Sequence, residues 1–254
     1  LDDADSLRFH ESLVDEDLQH AGQVRSFGFL ATVADYVVIR SALKAMIADL
    51  QGALAGLKAQ LASDKLIRYR NRLCFNIVFS ASGGTGSSMA LLVASLIREL
   101  TKETSCEITA TIVLPSAFDS KLDAKPEQAR RVRANCYATI LELEAARNGV
   151  FAREGVRLGV SREISVPVPN GGFNEVYVVG RKQANGKDLG SLEAVYSTVA
   201  MHLAGVIGTE LSDRVVADEQ NEKSLKRLIP DPLTKQPRHV GSIGGQALAL
   251  DIYR

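Results

Sequence analysis

Ser80-Ala81-Ser82-Gly83-Gly84-Thr85-Gly86-Ser87-Ser88-Met89 is the stretch on which the reading of this chain turns. An apolar, β-rich run (Leu73-Cys74-Phe75-Asn76-Ile77-Val78-Phe79) precedes it, and an apolar run at helical spacing over 89–100 follows. A strand that breaks into glycines and hydroxyls and then opens a helix is built to hold an anion. Glycine lets the backbone approach a ligand with no Cβ in the way. The free N–H groups of the helix start and the positive end of its dipole attract negative charge. Thr85, Ser87 and Ser88 add hydroxyls, so the expected ligand is the phosphate chain of a nucleotide.

Outward from this loop, strands and helices alternate. Upstream, residues 1–20 are acidic and weakly patterned, and 21–28 read as a loop entering a helix. Apolar residues at helical spacing over 29–61 predict two helices, or one broken near Gly52 or Gly56. Downstream, 107–114 is β-branched and almost continuously apolar, which suits a central parallel strand ended by Pro115. Pro126 is placed to open a helix reaching Asn148. A third strand is expected over 175–179, then a turn at Asn185-Gly186 and a long helix over about 191–211. This alternation predicts an α/β fold: a three-layer, Rossmann-like parallel sheet with flanking helices. The expected organisation is a nucleotide-binding domain over 1–211, closed by the 191–211 helix. A connector with Pro230, Pro232 and Pro237 and the start of a second domain would occupy 212–254.

Bulk properties narrow the function classes. The chain has 254 residues, 46% hydrophobic and 24% charged, the balance of a folded globular protein. Thirty basic side chains offset thirty acidic ones, so no global field favours nucleic acid or an anionic membrane. No apolar run approaches the roughly 20 residues of a transmembrane helix, and the acidic Leu1-Asp2-Asp3 start is not a signal peptide. A cytoplasmic location is expected. Cys74, Cys106 and Cys136 are widely spaced in apolar contexts and read as small buried hydrophobes in a reducing compartment. Without CxxC or a ligand spacing among His10, His20, His202 and His239, no protein-held metal is expected.

Two familiar phosphate loops do not fit. A P-loop closes its glycine turn with Lys-Ser/Thr, yet no lysine lies between Lys65 and Lys102. A dinucleotide fingerprint needs GxGxxG, a spacing that Gly83-Gly84-Thr85-Gly86 does not give. The remaining rivals are a glycine turn with no ligand and an unrelated α/β enzyme holding a phosphorylated metabolite.

Ser82-Gly83-Gly84-Thr85-Gly86-Ser87 resembles the GGGTGSG signature of the tubulin/FtsZ superfamily, in which that loop wraps the phosphates of GTP. Companions follow in the family's order. Ala21-Gly22-Gln23 through Gly28 is similar to its upstream loop near the γ-phosphate. Leu114-Pro115-Ser116-Ala117-Phe118-Asp119 is similar to the loop approaching the ribose. Arg133-Ala134-Asn135-Cys136-Tyr137-Ala138 resembles the bacterial tubulin-like branch, and the helix from Ser191 resembles the core helix. The resemblance covers most of 20–211. Ser88 stands where the signature has its last glycine, Gly180 and Arg181 where the family has a guanine-reading asparagine, and Ala200 where it has a polar base reader. The family's first GGxG loop is absent, so the resemblance implies a nucleotide-binding domain incomplete at its N-terminus.

The resemblance implies a nucleotide-binding protein, a GTPase activated by head-to-tail self-assembly into filaments, with further protein partners. The alternative is a tubulin-like scaffold or partner-binding module that binds nucleotide with little or no hydrolysis. The ligand implied is GTP, or another purine nucleoside triphosphate, with Mg²⁺ bridging its phosphates. Ser82, Gly83, Gly84, Thr85, Gly86 and Ser87 would hold the phosphates, with Gly22 and Gln23, joined by Arg25, sensing the γ-phosphate. Asp119, Asn135, Arg181 and Tyr196 are the candidates for ribose or base. The catalytic residues are unknown: Asp213, Asp218, Glu219 and Glu222 follow the core helix, either as a catalytic loop or as a solvated charged surface.

Overall fold

The computed structural model describes residues 23–61, 73–102, 106–123, 125–151, 156–158, 164–166, 168, 172–182, 186–208 and 240–242. Two helices, α1 (Arg25–Ala34) and α2 (Tyr36–Leu61), lead into strand β1 (Leu73–Ser80) and helix α3 (Thr85–Leu100). Strand β2 (Cys106–Val113) follows, then a 3₁₀ turn (Pro115–Phe118), the short α4 (Asp119–Leu122) and α5 (Pro126–Arg147). The chain continues through β3 (Val156–Leu158), β4 (Ile164–Val166), β5 (Glu175–Val179), α6 (Leu192–Gly208) and β6 (Val240–Ser242).

The main sheet runs β1-β2-β5-β6, parallel throughout, while β3 and β4 form a separate antiparallel pair. Sequence reading found β1, β2 and β5 and missed the short β3–β4 pair. Strand β6 lies in the run expected to begin a second domain, and it pairs with β5 in the main sheet. The β-branched, nearly unbroken apolar sequence of β2 earns it the central position, paired on both edges.

Helices cover both faces. On one, Phe75, Phe79, Ile108, Ala110 and Ile112 pack with Ala90, Leu91, Ala94 and Ile97 of α3 and Ala146 of α5. On the other, Val113, Tyr177 and Val179 meet Leu192, Val195 and Val199 of α6. The far side of α3 is also covered, since Leu92 and Leu96 pack with Val166, Phe29, Val33 and Ile39. The chain is therefore an α/β protein with a parallel sheet between helical layers, as expected.

Several boundaries differ from the expectation, among them the break in the first helical run and the start of α3. The break in the 29–61 helical run falls at Asp35, where α1 and α2 bend by 71°. The bend lets Phe29 and Val33 of α1 and Ile39 and Leu43 of α2 reach α3 together. Helix α2 runs straight through Gly52 and Gly56, a propensity cost of about 1 kcal/mol each that packing overrides. Helix α3 begins at Thr85 rather than near Met89, because Gly84 already has helical angles (φ −74°, ψ −48°). Among the described residues no single helix is long and apolar enough to cross a membrane.

Candidate functional site

Parallel strands β1, β2 and β5 end together at Ser80, Val113 and Val179, and their C-terminal edge carries the loops with most of the candidate residues. Ligands of open parallel sheets bind at this edge. The loops are stitched to one another. Ala81 N–H donates to Val113 C=O at 3.1 Å, Leu114 N–H to Val179 C=O at 2.8 Å, and Arg181 N–H to the Ser116 hydroxyl at 3.2 Å. Gly180 is needed there, since a Cβ would stand 2.7 Å from Ser116 Oγ.

The glycine loop crosses from β1 into α3. No side chain caps the helix, and its first turn holds no acidic residue. The first-turn N–H groups, which have no intrahelical partner, therefore remain available to an anion. Ser82 is buried, and its hydroxyl has no hydrogen-bond partner among the described residues. A buried unpaired hydroxyl is costly, and a ligand oxygen would relieve it. A Cβ on Gly83 would project into open space, whereas one on Gly86 would stand 3.2 Å from Phe79 Cβ. Gly83 thus keeps the approach to the loop open, and Gly86 lets α3 sit on β1. Thr85 is exposed. The Ser87 hydroxyl donates to Gly83 C=O, and that of Ser88 to Gly84 C=O at 2.7 Å, so both hydrogens turn into the helix.

Helix α5 grips the loop from behind. Asn135, buried in mid-helix, donates from Nδ2 to Ser82 C=O at 3.0 Å and to Gln23 C=O at 2.9 Å. It joins the glycine loop to the upstream loop, so the described contacts of its amide are to backbone. One turn on, Thr139 Oγ1 lies 3.4 Å from Ser87 C=O. Glu142 bonds Arg25 at 2.5 Å, and Arg25 in turn donates to Ser87 C=O at 2.8 Å and to its hydroxyl at 3.2 Å. Arg25 thus commits Nε and Nη2 to the rear of the loop. Gly28 of α1 completes this side, where a Cβ would stand 2.5 Å from both Gly84 O and Ser88 Oγ.

The remaining candidates occupy the same sheet edge. Arg181 bonds Asp188 at 2.8 Å, and its guanidinium pKa is raised first by that bond and further by Asp119 and Asp123. Asp188 is held below the usual carboxylate range by Arg181 and by Gly190 N–H. Asp119 is near enough for its charge to act on Arg181. Tyr196 is 51% exposed and lines a pocket of about 350 Å³ with Ser80, Phe118 and Ala200. Its ring thus stands at a cavity reaching the root of the glycine loop. Gly22 and the acidic residues at 213, 218, 219 and 222 lie outside the described residues.

Sequence reasoning missed Thr139 and Glu142. With Asn135 they form a polar stripe at i, i+4, i+7, a helical spacing that marks one face, so the signal was present. The short reach from Gly28 to Gly84 had no such signature.

A family model described as tubulin like matches residues 9–249. No curated protein and no solved structure matches the chain.

Proposed function

Since the chain belongs to the tubulin-like family, we propose that it binds a purine nucleoside triphosphate, GTP, at the C-terminal edge of its sheet. The observation that carries this is the buried Ser82 hydroxyl, without a partner among the described residues, beside an uncapped helix start. An oxyanion would satisfy both at once, since a phosphate oxygen accepts from hydroxyl and amide alike. In this reading Ser82, Gly83, Gly84, Thr85, Gly86 and Ser87 surround the phosphates mainly through backbone N–H groups. Gly22 and Gln23 are assigned to sensing the γ-phosphate, and Mg²⁺ would neutralise the phosphates as their counter-ion.

Tyr196 serves as the platform for the base, supported by its exposure beside the pocket that reaches Ser80. Asp119 and Arg181 sit on the ribose side. The pocket wall at Ala200 offers no hydrogen bond, which favours recognition of a purine face over strict reading of its edge. Asn135 holds the two phosphate-side loops at their working separation rather than touching the ligand.

Hydrolysis and head-to-tail self-assembly belong to the same reading: the loop binds the triphosphate, and a neighbouring subunit completes the water-activating site. A binding-only scaffold is the second reading, favoured by the missing base readers at Gly180, Arg181 and Ala200 and by the absence of a clear catalytic-loop match in the sequence after the core helix. Three measurements test these claims. Chromatography of the nucleotide released from the purified protein should give a guanine or adenine nucleotide. Replacing Gly83 and Thr85, which face open space, with leucines should abolish calorimetric GTP binding while circular dichroism stays unchanged; intact binding refutes the phosphate loop. Phosphate release rising steeply with protein concentration supports the assembling GTPase, and a flat zero with nucleotide bound supports the scaffold.

A further inference from the structure

Helix α5 has two unlike faces. Its inward stripe (Val132, Asn135, Thr139, Glu142, Ala146) includes the three side chains that hold the nucleotide loops from behind. Half a turn away, Arg130, Arg133, Tyr137, Ile140 and Leu141 share the opposite face, by the 100° step of a helix. Tyr137 is 68%, Ile140 41% and Leu141 50% exposed, and both arginines are exposed. Among the described residues Arg130 pairs with Glu127 of the preceding turn at 3.1 Å, with both side chains largely in solvent, and Arg133 has no ion pair.

Three contiguous large apolar side chains in water are unfavourable, and such patches on folded proteins mark interaction sites. Tyrosine and arginine are also the residue types that dominate interface energetics. The charge is asymmetric: positive at Arg130 and Arg133, with Glu144 on the same face one turn beyond Ile140. A complementary surface carries apolar side chains for Tyr137, Ile140 and Leu141, and carboxylates where it meets the arginines.

We propose that this face of α5 docks an acidic, amphipathic segment of a partner protein, and that occupancy of the phosphate loop tunes the docking through α5. The path is short. A phosphate that draws the loop toward itself moves Ser82 and Ser87, and Asn135, Thr139 and the Arg25–Glu142 pair carry that movement into the helix. The docking face stands independently of the proposed nucleotide, whereas the coupling rests on the nucleotide-binding reading.

The test uses the whole chain and two labelled synthetic peptides, one with leucines at helical spacing and glutamates elsewhere, the other with lysines for glutamates. Fluorescence anisotropy should show the glutamate peptide binding at least about tenfold tighter than the lysine peptide. Arg133→Glu and Tyr137→Ala should each weaken it by about tenfold while leaving GTP calorimetry unchanged, as neither touches the loop. Saturating GTP should shift the glutamate peptide's affinity by about fivefold or more, within the usual range of coupling between sites. Asn135→Ala, or Thr139→Val if the alanine variant fails to fold, should remove that shift while calorimetry still shows GTP bound, and leave peptide binding without GTP intact. Equal binding of the two peptides, or indifference to both face substitutions, overturns the docking surface. Concentration-dependent self-association abolished by Tyr137→Ala, without peptide binding, overturns it in favour of a second copy. Peptide binding insensitive to GTP overturns the coupling if calorimetry shows GTP bound; if GTP does not bind, the nucleotide reading has failed instead.

Discussion

Gly28→Ala and Gly52→Ala are the same chemical change in two neighbouring helices, and the structure predicts opposite signs. A methyl at position 52 meets nothing within 4 Å, and the same holds at 56. Each of these substitutions should gain the helix-propensity difference, about 0.8–1.0 kcal/mol. For a chain of this size that raises Tm by roughly 2–4 °C. At position 28 the methyl would lie 2.5 Å from the Gly84 carbonyl oxygen and 2.5 Å from Ser88 Oγ. The hydroxyl can rotate away, but it then loses its bond to Gly84 C=O. The carbonyl belongs to the loop backbone and has nowhere to go unless α1 retreats. Overpacking of this kind costs about 1–3 kcal/mol, and the lost hydrogen bond about 1 kcal/mol more. Offset by the propensity gain, the net loss is about 1–3 kcal/mol. Urea and thermal denaturation read the sign directly, and GTP calorimetry should show at least a fivefold weakening for Gly28→Ala alone. A Gly28→Ala protein as stable as Gly52→Ala, with unaltered GTP affinity, refutes the claimed approach of α1 to the loop.

Further outcomes follow from the same geometry. Ser82→Ala removes a buried hydroxyl without a partner, so the ligand-free protein should hold or gain up to about 1 kcal/mol in denaturation while GTP affinity falls about five- to tenfold. Tyr196→Ala should weaken GTP by about 1–3 kcal/mol, the usual worth of base–aromatic stacking, with the change read by calorimetry; an unchanged constant removes Tyr196 from the site. Burial raises the Cys136 thiol pKa, so at neutral pH it stays protonated and should react with Ellman's reagent much more slowly than exposed Cys74. Equal rates in single-cysteine variants would contradict that burial. Asp188 is held ionised by Arg181, so this contact is present above the carboxylate's unfolded pKa and is lost as pH falls through the lower folded value. Asp188→Asn should flatten that acid limb in pH-dependent denaturation.

Much of the fold was legible because its signals are local. The β-branched run of β2, Pro126 at the first turn of α5 and the glycine–hydroxyl break after β1 each act over a few residues. The break between α1 and α2 was misplaced because Gly52 and Gly56 carry the local signal, whereas the bend is imposed by what α3 needs from Phe29 and Leu43. The phosphate loop was readable as a motif, but its support was not. Gln23 and Asn135 are far apart in sequence, and only the folded chain brings that backbone carbonyl to that amide. Asn135 stands in mid-helix, where asparagine is unfavourable, and two backbone hydrogen bonds offset that cost. Arg181 sits just past the C-terminal end of β5 and Ala200 on the wall of the Tyr196 pocket, placements that their residue types did not signal.

Helix α3 is enclosed by the sheet, by α1 and α2, by α5 and by Val166, with Leu92, Ala94, Ser95 and Leu96 at most 1% exposed. Its central amides should exchange with deuterium only when the whole protein opens. Its first turn differs: Thr85 is solvent-facing and the amides there have no intrahelical partner. One helix therefore joins a nearly silent interior to a fast-exchanging tip. Slowing of that tip on adding a triphosphate, against the unmoving signal of the turns behind it, would give an internally referenced readout of ligand arrival without any label on the ligand.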